Sequence, residues 1–296
     1  MIRVHIALFF VSLLYAILFS WAGQIMPVHL TAEGFVFLRI AFATSLFHLI
    51  ALFQQTEKIN WKLHLKEFAI CGFFGTSANM FLFFKGLEST FPINGAILML
   101  FTPLFVAIFD HFRVQKWPNW QFSLGLFTAA AASYLLIAGK GAKFSEKTIM
   151  GDIWVSINAI LYAVYLVRVK KLTSVYSPIS VNRWTFTFGL LYITPVGLIP
   201  FCNTNFQNIP SDIWLKIAYI LIFTSFLVYL LNAYSVKKAG PTLAGLYIYL
   251  QPLLATIIAF LLQTDQISLE KICLIVAVLS GVFIATKFTP KAHIKS

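Results

Sequence analysis

Neutral polar and aromatic residues recur at helical spacing inside long apolar stretches of this chain. Ser12, Tyr15 and Phe19 fall at i, i+3 and i+7, which places them on one helix face. Thr76, Asn79 and Phe83 repeat that spacing. Asn158, Tyr162 and Tyr165 follow i, i+4, i+7, as do Ser225, Tyr229 and Asn232. Tyr247 and Gln251 stand four apart, directly before Pro252. In a dry environment each amide or hydroxyl needs a partner. Faces that mix aromatic planes with amides and hydroxyls suit a small polar or amphipathic metabolite, held by stacking and hydrogen bonds. The same residue types also tie helices together, and for each of them that reading stays open.

The ionisable residues are placed for little else. Ten are acidic. Asp110, Asp152 and Asp265 fall at the ends of apolar stretches, and Glu33 and Glu88 in the expected loops. Asp110, beside His111, is the best candidate for proton coupling and reads instead as an interfacial charge. Without a deep carboxylate, transport by facilitated diffusion or exchange, or coupling through the substrate's own charge, is expected. The six histidines are dispersed, and the three cysteines form no CxxC, so no metal or other cofactor is expected. No phosphate-binding glycine loop appears, which excludes an ATP-driven pump, and no cluster of acids or histidines points to an enzyme. Arg39 and Arg183 read as snorkelling or carbonyl-bonded residues near helix ends rather than anion receptors. Pro92 and Pro241 open apolar stretches, where a missing N–H costs nothing. Pro103 and Pro252 fall inside them and should kink their helices and free carbonyls, which makes them candidate gating points.

These faces need elements that span a membrane. Of 296 residues, 59% are apolar and 11% charged, with mean hydropathy +0.84. A soluble domain carries about 25% charge, so an ordinary cytosolic globule and a disordered chain are excluded. Stretches of at least 15 residues free of Asp, Glu, Lys and Arg cover 4–32, 40–56, 68–84, 89–109, 117–139, 153–167, 184–211, 217–236, 239–264 and 272–286. With ends that tolerate a charge, these are ten spans of about 20 residues. The continuous runs exclude a barrel, whose strands alternate. The apolar run from Val4 to Ile25 is too long for a signal peptide core and is taken as the first span. With the N-terminus in the cytoplasm, 14 basic residues fall on the cytoplasmic side and six on the other, with Arg39 and Arg183 near helix ends. The positive-inside rule thus places both termini in the cytoplasm. The +12 net charge is a threading signal and implies no nucleic-acid partner.

The chain repeats itself. An offset of 149 residues superposes Pro92 on Pro241, Pro103 on Pro252, Leu104 on Leu253 and Ile108 on Ile257. An offset of 144 brings Arg39 to Arg183 and Phe42 to Phe186, and one of 147 brings Tyr15-Ala16 to Tyr162-Ala163. Each half has five spans, and an odd number threads the second half oppositely to the first. The expected fold is therefore all-α and integral to the membrane: ten transmembrane helices as two inverted five-helix repeats, with a substrate site between them. The divisions are 1–139, a linker at 140–150, 151–288 and a cytoplasmic tail at 289–296.

Several stretches resemble a known family. Ser89-Thr90-Phe91-Pro92-Ile93-Asn94-Gly95-Ala96, continuing to Thr102-Pro103-Leu104-Phe105, is similar to the fourth helix of an EamA repeat protein. Ala239-Gly240-Pro241-Thr242-Leu243-Ala244, continuing to Leu250-Gln251-Pro252-Leu253, is similar to the ninth. Phe37-Leu38-Arg39-Ile40-Ala41-Phe42-Ala43 resembles the second helix and Ser280-Gly281-Val282-Phe283 the last. The wording at Ile6–Phe9 and Gly34–Arg39 resembles bacterial members. The resemblance covers nearly the whole chain and implies the drug/metabolite transporter superfamily. It implies a ten-helix carrier that exports or takes up small metabolites by alternating access; the expectation is a multi-pass protein of the cell inner membrane, a monomer or homodimer, with export favoured over uptake. It also implies that helices one, three, four, six, eight and nine surround the cavity. The family often has Glu just after helices four and nine; here Gln115-Lys116 and only Asp265 stand there. A lipid flippase of the same plan is the nearer alternative, a membrane-embedded enzyme the more distant one. A fluorescent protein fused after Ser296 should fluoresce and alkaline phosphatase there should stay inactive; the opposite pair of results would reverse the threading.

Overall fold

The computed structural model describes residues 1–115, 118–138, 144–261 and 268–289. Asp265 and Lys116 lie outside them, as do residues 140–143 of the linker and 290–296 of the tail. Among the described residues there are ten helices long and apolar enough to cross a membrane and no strand. They are α1 (Ile2–Ile25), α2 (Ala32–Phe53), α3 (Trp61–Ser89), α4 (Pro92–Val114) and α5 (Trp120–Ala138). After these come α6 (Ile149–Val175), α7 (Pro178–Cys202), α8 (Ser211–Ala239), α9 (Pro241–Leu261) and α10 (Leu269–Lys287).

Local sequence sets the ends. Thr31, Asn60, Ser177 and Ser268 cap α2, α3, α7 and α10, each accepting a backbone N–H with its side chain. Proline opens α4, α7 and α9, where its fixed φ suits the first turn. Gly240 turns α8 into α9 at φ 91°, a conformation that glycine adopts without strain. The loop residue Glu57 accepts from the Ser177 N–H and from the Ser177 and Ser180 hydroxyls at the start of α7. Burial alone raises its pKa; the hydrogen bonds from Ser180 and Ser177 outweigh that and hold it below the usual carboxylate range.

Helices of the first half pack against helices of the second: α1 on α8, α2 on α7, α3 on α6, α4 on α9 and α5 on α10. Lipid offers no hydrophobic drive between helices, so close packing of small residues does the work. At the α5–α10 crossing, a Cβ on Gly281 would lie 2.5 Å from the Ala129 nitrogen, and one on Gly125 2.5 Å from the Ala285 nitrogen. The α3–α6 crossing is similar: a Cβ on Gly151 would lie 2.6 Å from the Ser89 carbonyl carbon.

Four irregularities interrupt the spans, at matching places in the two halves. The third helix of each half contains a π-helical stretch, Phe73–Ser77 in α3 and Ile220–Leu227 in α8. Such widened turns redirect the side chains that follow. The fourth helix of each half breaks near its middle. In α4 the helix stops at Met99 and restarts at Thr102, with Leu100 and Phe101 donating to carbonyls three residues back. In α9 a 3-10 turn covers Tyr247–Tyr249. Pro103 was expected to kink a continuous helix; it sits in the first turn of a new segment, so the helix is split. Pro252 lies inside the segment Leu250–Leu261. Each proline ring excludes the carbonyl four residues earlier, those of Met99 and Ile248.

Met1 and the end of α10 lie at one end of the bundle, the terminus end, where Met1 borders the same depression as Thr286 and Lys287. Gly281→Ala should lower the detergent melting temperature, since overpacking costs about 1–3 kcal/mol. Gly23→Ala, where nothing lies within 4 Å of a new Cβ, should leave it unchanged or raised. Equal melting of the two variants would contradict the close crossing.

Candidate functional site

A cavity of about 50 Å³ lies between the halves. Tyr15, Phe19, Arg39, Asn79, Phe83, Phe84 and Met99 contribute from the first half, and Asn158, Tyr162, Tyr229, Ile248 and Gln251 from the second. A second chamber of about 210 Å³ shares Phe19, Met99, Ile248 and Gln251 with it. That chamber runs toward the end away from the termini, between the start of α4 (Pro92, Ile93, Ala96) and the end of α5 (Leu136, Ile137). Its lining contains no charged residue. Each space is smaller than the roughly 300 Å³ at which drug-sized pockets begin, a scale for small metabolites.

Of the candidates singled out by spacing, Tyr15, Phe19, Asn79, Asn158, Tyr162, Tyr229 and Gln251 line this cavity. Asn79 and Asn158 bridge α3 and α6 reciprocally. The Asn158 Nδ2 donates to the Asn79 carbonyl at 2.6 Å and the Asn79 Nδ2 to the Asn158 carbonyl at 3.4 Å. Asn158 Oδ1 is buried and has no hydrogen-bond partner among the described residues. The Tyr229 hydroxyl donates to the Gly75 carbonyl at 2.9 Å, inside the π-helical stretch of α3. Phe19 meets Phe83 edge-to-face at 5.3 Å.

The remaining candidates stand behind the lining. The Ser12 hydroxyl donates to the Tyr247 carbonyl at 2.7 Å and ties α1 to α9. Tyr247 itself shares a 2.6 Å hydrogen bond with His5 Nδ1. The Thr76 hydroxyl donates to the Gly72 carbonyl at 2.6 Å. Asn232 Nδ2 donates to the Tyr162 hydroxyl at 3.0 Å and orients it. Tyr165 stacks on Tyr162 at 6.0 Å, its hydroxyl buried without a partner among the described residues. Ser225 holds a residue that the spacing argument passed over.

That residue is Arg39, and the snorkelling expectation for it is overturned. It stands seven residues into α2, roughly 10 Å along the axis at 1.5 Å per residue, and only 2% of it is exposed. Its Nε donates to the Ser225 hydroxyl at 2.8 Å and its Nη2 to the Thr224 hydroxyl at 3.2 Å. Both hydroxyls sit on the π-helical stretch of α8, which turns them inward. The guanidinium also lies 4.6 Å from the Phe84 ring centroid. Among the described residues no carboxylate lies within ion-pair distance of it. The available signal is the general rule that an ionisable group inside a span marks a site; the match of Arg39 to Arg183 near opposite helix ends points away from it. Arg183 is only half-buried, donates to His48 Nδ1 at 3.2 Å and lies 5.0 Å from the Trp184 ring centroid. The matched arginines have different surroundings.

The acids gather at the two ends. Glu33 and Glu88, expected in loops, occupy the first turn of α2 and the last turn of α3. Lys85 bridges them at 2.8 and 3.0 Å. At the terminus end, Asp110 pairs with Arg113 at 2.6 Å and accepts from the Thr242 hydroxyl at 2.5 Å, joining α4 to α9. Glu67 binds Arg168 and Lys171, each at 3.1 Å, joining α3 to α6. Lys170 donates to the Val236 and Lys237 carbonyls at the end of α8. No group of three or more potential metal ligands occurs among the described residues.

A multi-pass helical membrane protein with a cavity between its two halves is the class that this fold and site define. The comparisons with known proteins give the family. The profile of the EamA-like transporter family matches the chain twice, over residues 2–138 and 149–287. The chain belongs to that family, within the drug/metabolite transporter superfamily. It is 27% identical over 252 residues to the uncharacterized transporter YyaM of Bacillus subtilis (strain 168), covering 84% of this chain and 82% of that protein. An uncharacterized transporter of Archaeoglobus fulgidus is 31% identical over 201 residues, 67% of each chain. YoaV of Bacillus subtilis (strain 168), also an uncharacterized transporter, is 20% identical over 97% of both. A protein crystal structure superposes with TM-score 0.77 at 16% identity, covering 97% of this chain and 98% of that one; that likeness shows the fold.

Asn158→Leu should raise the KM for transport at least ~10-fold. It should also destabilise by about 1–3 kcal/mol, since the bridge to Asn79 is lost. Tyr162→Phe, which removes only the hydroxyl that accepts from Asn232, should alter KM and lower the melting temperature, since the buried Asn232 Nδ2 loses that acceptor at a cost of about 1–3 kcal/mol. Wild-type kinetics in both variants would remove these residues from the site.

Proposed function

We propose that this transporter is a secondary carrier of a small polar or amphipathic metabolite of amino-acid type, aromatic ones included. It works by alternating access across the bacterial cytoplasmic membrane, in the export direction. The observation that carries this reading is the cavity, lined from both halves by aromatic rings, amides and one guanidinium. Cross-half pairing of all ten helices, with π-helical stretches and breaks at matching positions, supports two inverted repeats. In such repeats, sites lie between the halves.

The cavity continues toward the end away from the termini, while the Asp110–Thr242 and Lys170–Val236 contacts tie helices together at the terminus end. With the termini in the cytoplasm, this is an outward-facing arrangement. The Met99–Thr102 break and the Tyr247–Tyr249 turn are the bending points through which Pro103 and Pro252 act. The cavity-lining candidates bind substrate, while Ser12, Thr76, Tyr165, Asn232 and Tyr247 support them. No carboxylate lines either chamber, which supports facilitated diffusion or exchange over proton coupling. The flippase reading has less support. A groove of about 600 Å³ opens between α4 and α5, but it is lined by Leu, Phe, Ala and similar residues without a charge, and a headgroup needs a polar path.

The test is counterflow in proteoliposomes. Purified protein is reconstituted into vesicles loaded with a cell metabolite extract, and exchange is followed by mass spectrometry. A small set of polar metabolites should exchange across the membrane, labelled phospholipid should not change leaflets, and an imposed pH gradient should leave transport of a non-ionising substrate unchanged. No exchange of any metabolite, or strong stimulation by the gradient, would count against the reading.

A further inference from the structure

We infer that Arg39 is the receptor for a carboxylate on the transported molecule, and that Asn158 receives an ammonium on the same molecule. The cargo is then a zwitterionic α-amino acid with an uncharged, apolar side chain. The inference rests on the carrier reading above and specifies its substrate class.

A guanidinium sealed inside a membrane protein needs compensation, because an ion taken from water loses its solvation. Arg39 has two hydroxyl partners and an aromatic face. These supply dipoles and a quadrupole, and no opposite charge. A guanidinium offers five N–H donors in a planar fork. Nε and Nη2 each make one bond, and Nη1 makes none among the described residues. A planar fork with free donors in a low-dielectric cavity is complementary to a carboxylate.

The second half of the recognition comes from the opposite repeat. Asn158 borders the same cavity as Arg39. Its Nδ2 is spent on the Asn79 carbonyl, which fixes the amide and leaves Oδ1 buried without a partner among the described residues. An orphaned amide oxygen accepts from an N–H donor, and the rings of Tyr162 and Phe83, which line the same cavity, favour a cation. Donors from Arg39 and an acceptor from Asn158 thus match the adjoining carboxylate and ammonium of an α-amino acid. The rest of the molecule extends into the second chamber, past Phe19 and Met99 toward Ile93, Ala96 and Leu136. No charged group there would compensate a charged side chain.

The experiment reads ligand-induced shifts in melting temperature of the purified, intact protein. The probes are L-phenylalanine and L-leucine, their carboxamides, their decarboxylated amines, and 3-phenylpropionate. At least one amino acid should raise the melting temperature, and its carboxamide and amine should bind at least ~10-fold more weakly, because a site built for a polar group rejects the analogue lacking it. Arg39→Lys, which keeps the charge and loses the fork, should weaken the amino acid at least ~10-fold. Asn158→Leu should abolish the preference for L-phenylalanine over 3-phenylpropionate. The acid-against-amide comparison uses the unaltered protein, so a variant that fails to fold does not remove the test. Equal binding of acid and amide, no response to either amino acid, or a preference unchanged by Asn158→Leu overturns the inference. Counterflow of other metabolites in the same preparation would leave the carrier reading standing; no counterflow at all would remove both.

Discussion

Between the two faces of a bilayer, a polar group finds its partner inside the protein or has none. Backbone groups meet this constraint by forming helices, and side chains meet it by bonding back or across. Thr44, Thr187 and Thr194 donate to carbonyls one turn earlier. Ser12 and Asn182 reach a carbonyl of another helix. This satisfaction is incomplete where Arg39 and Asn158 border the cavity, and the site proposed for an external polar molecule lies there. The support for function is thus a local departure from the rule that shapes everything around it.

The paired halves explain how those departures come together. Small-residue crossings let α3 approach α6 and α5 approach α10 closely, which brings Asn79 within bonding reach of Asn158. The π-helical stretches have a related effect. One carries Gly75, whose carbonyl receives the Tyr229 hydroxyl, and the other carries Thr224 and Ser225, which receive Arg39. Each stretch is a small distortion of one helix that serves a side chain of another. The duplicated design then diverges where charge is concerned. Arg39 is sealed beside the cavity while Arg183 rests against His48 and Trp184. A second guanidinium buried as deeply would double the desolvation cost.

The charged clusters at the ends divide the bundle unevenly. Asp110, Glu67 and Glu57 tie the two halves together at the terminus end, while Lys170 joins α6 to α8 within the second half. At the other end, Lys85 with Glu33 and Glu88 joins α2 to α3 within one half. The Asp152 cluster with Thr90 and Asn94 crosses between halves there. Ties across halves resist their separation, and ties within a half move with it. This difference fits a cavity that continues toward the end away from the termini.

The sequence alone determined the spans, because an apolar run of about 20 residues has no other stable place. It determined the duplication, since Pro92 and Pro103 reappear as Pro241 and Pro252 in register, and it exposed the helix faces that carry Tyr15, Asn79, Asn158, Tyr162, Tyr229 and Gln251. Spacing within one helix reports which residues share a face. It does not report which face meets which, so Ser12, Thr76, Asn232 and Tyr247 looked equivalent to their neighbours. Tertiary structure separated them, through contacts between residues far apart in the chain, such as Ser12 and Tyr247, 235 residues apart. It also reassigned Arg39, whose depth and hydroxyl partners depend on how α2 meets a widened turn of α8. No pattern in α2 itself encodes a partner 186 residues away.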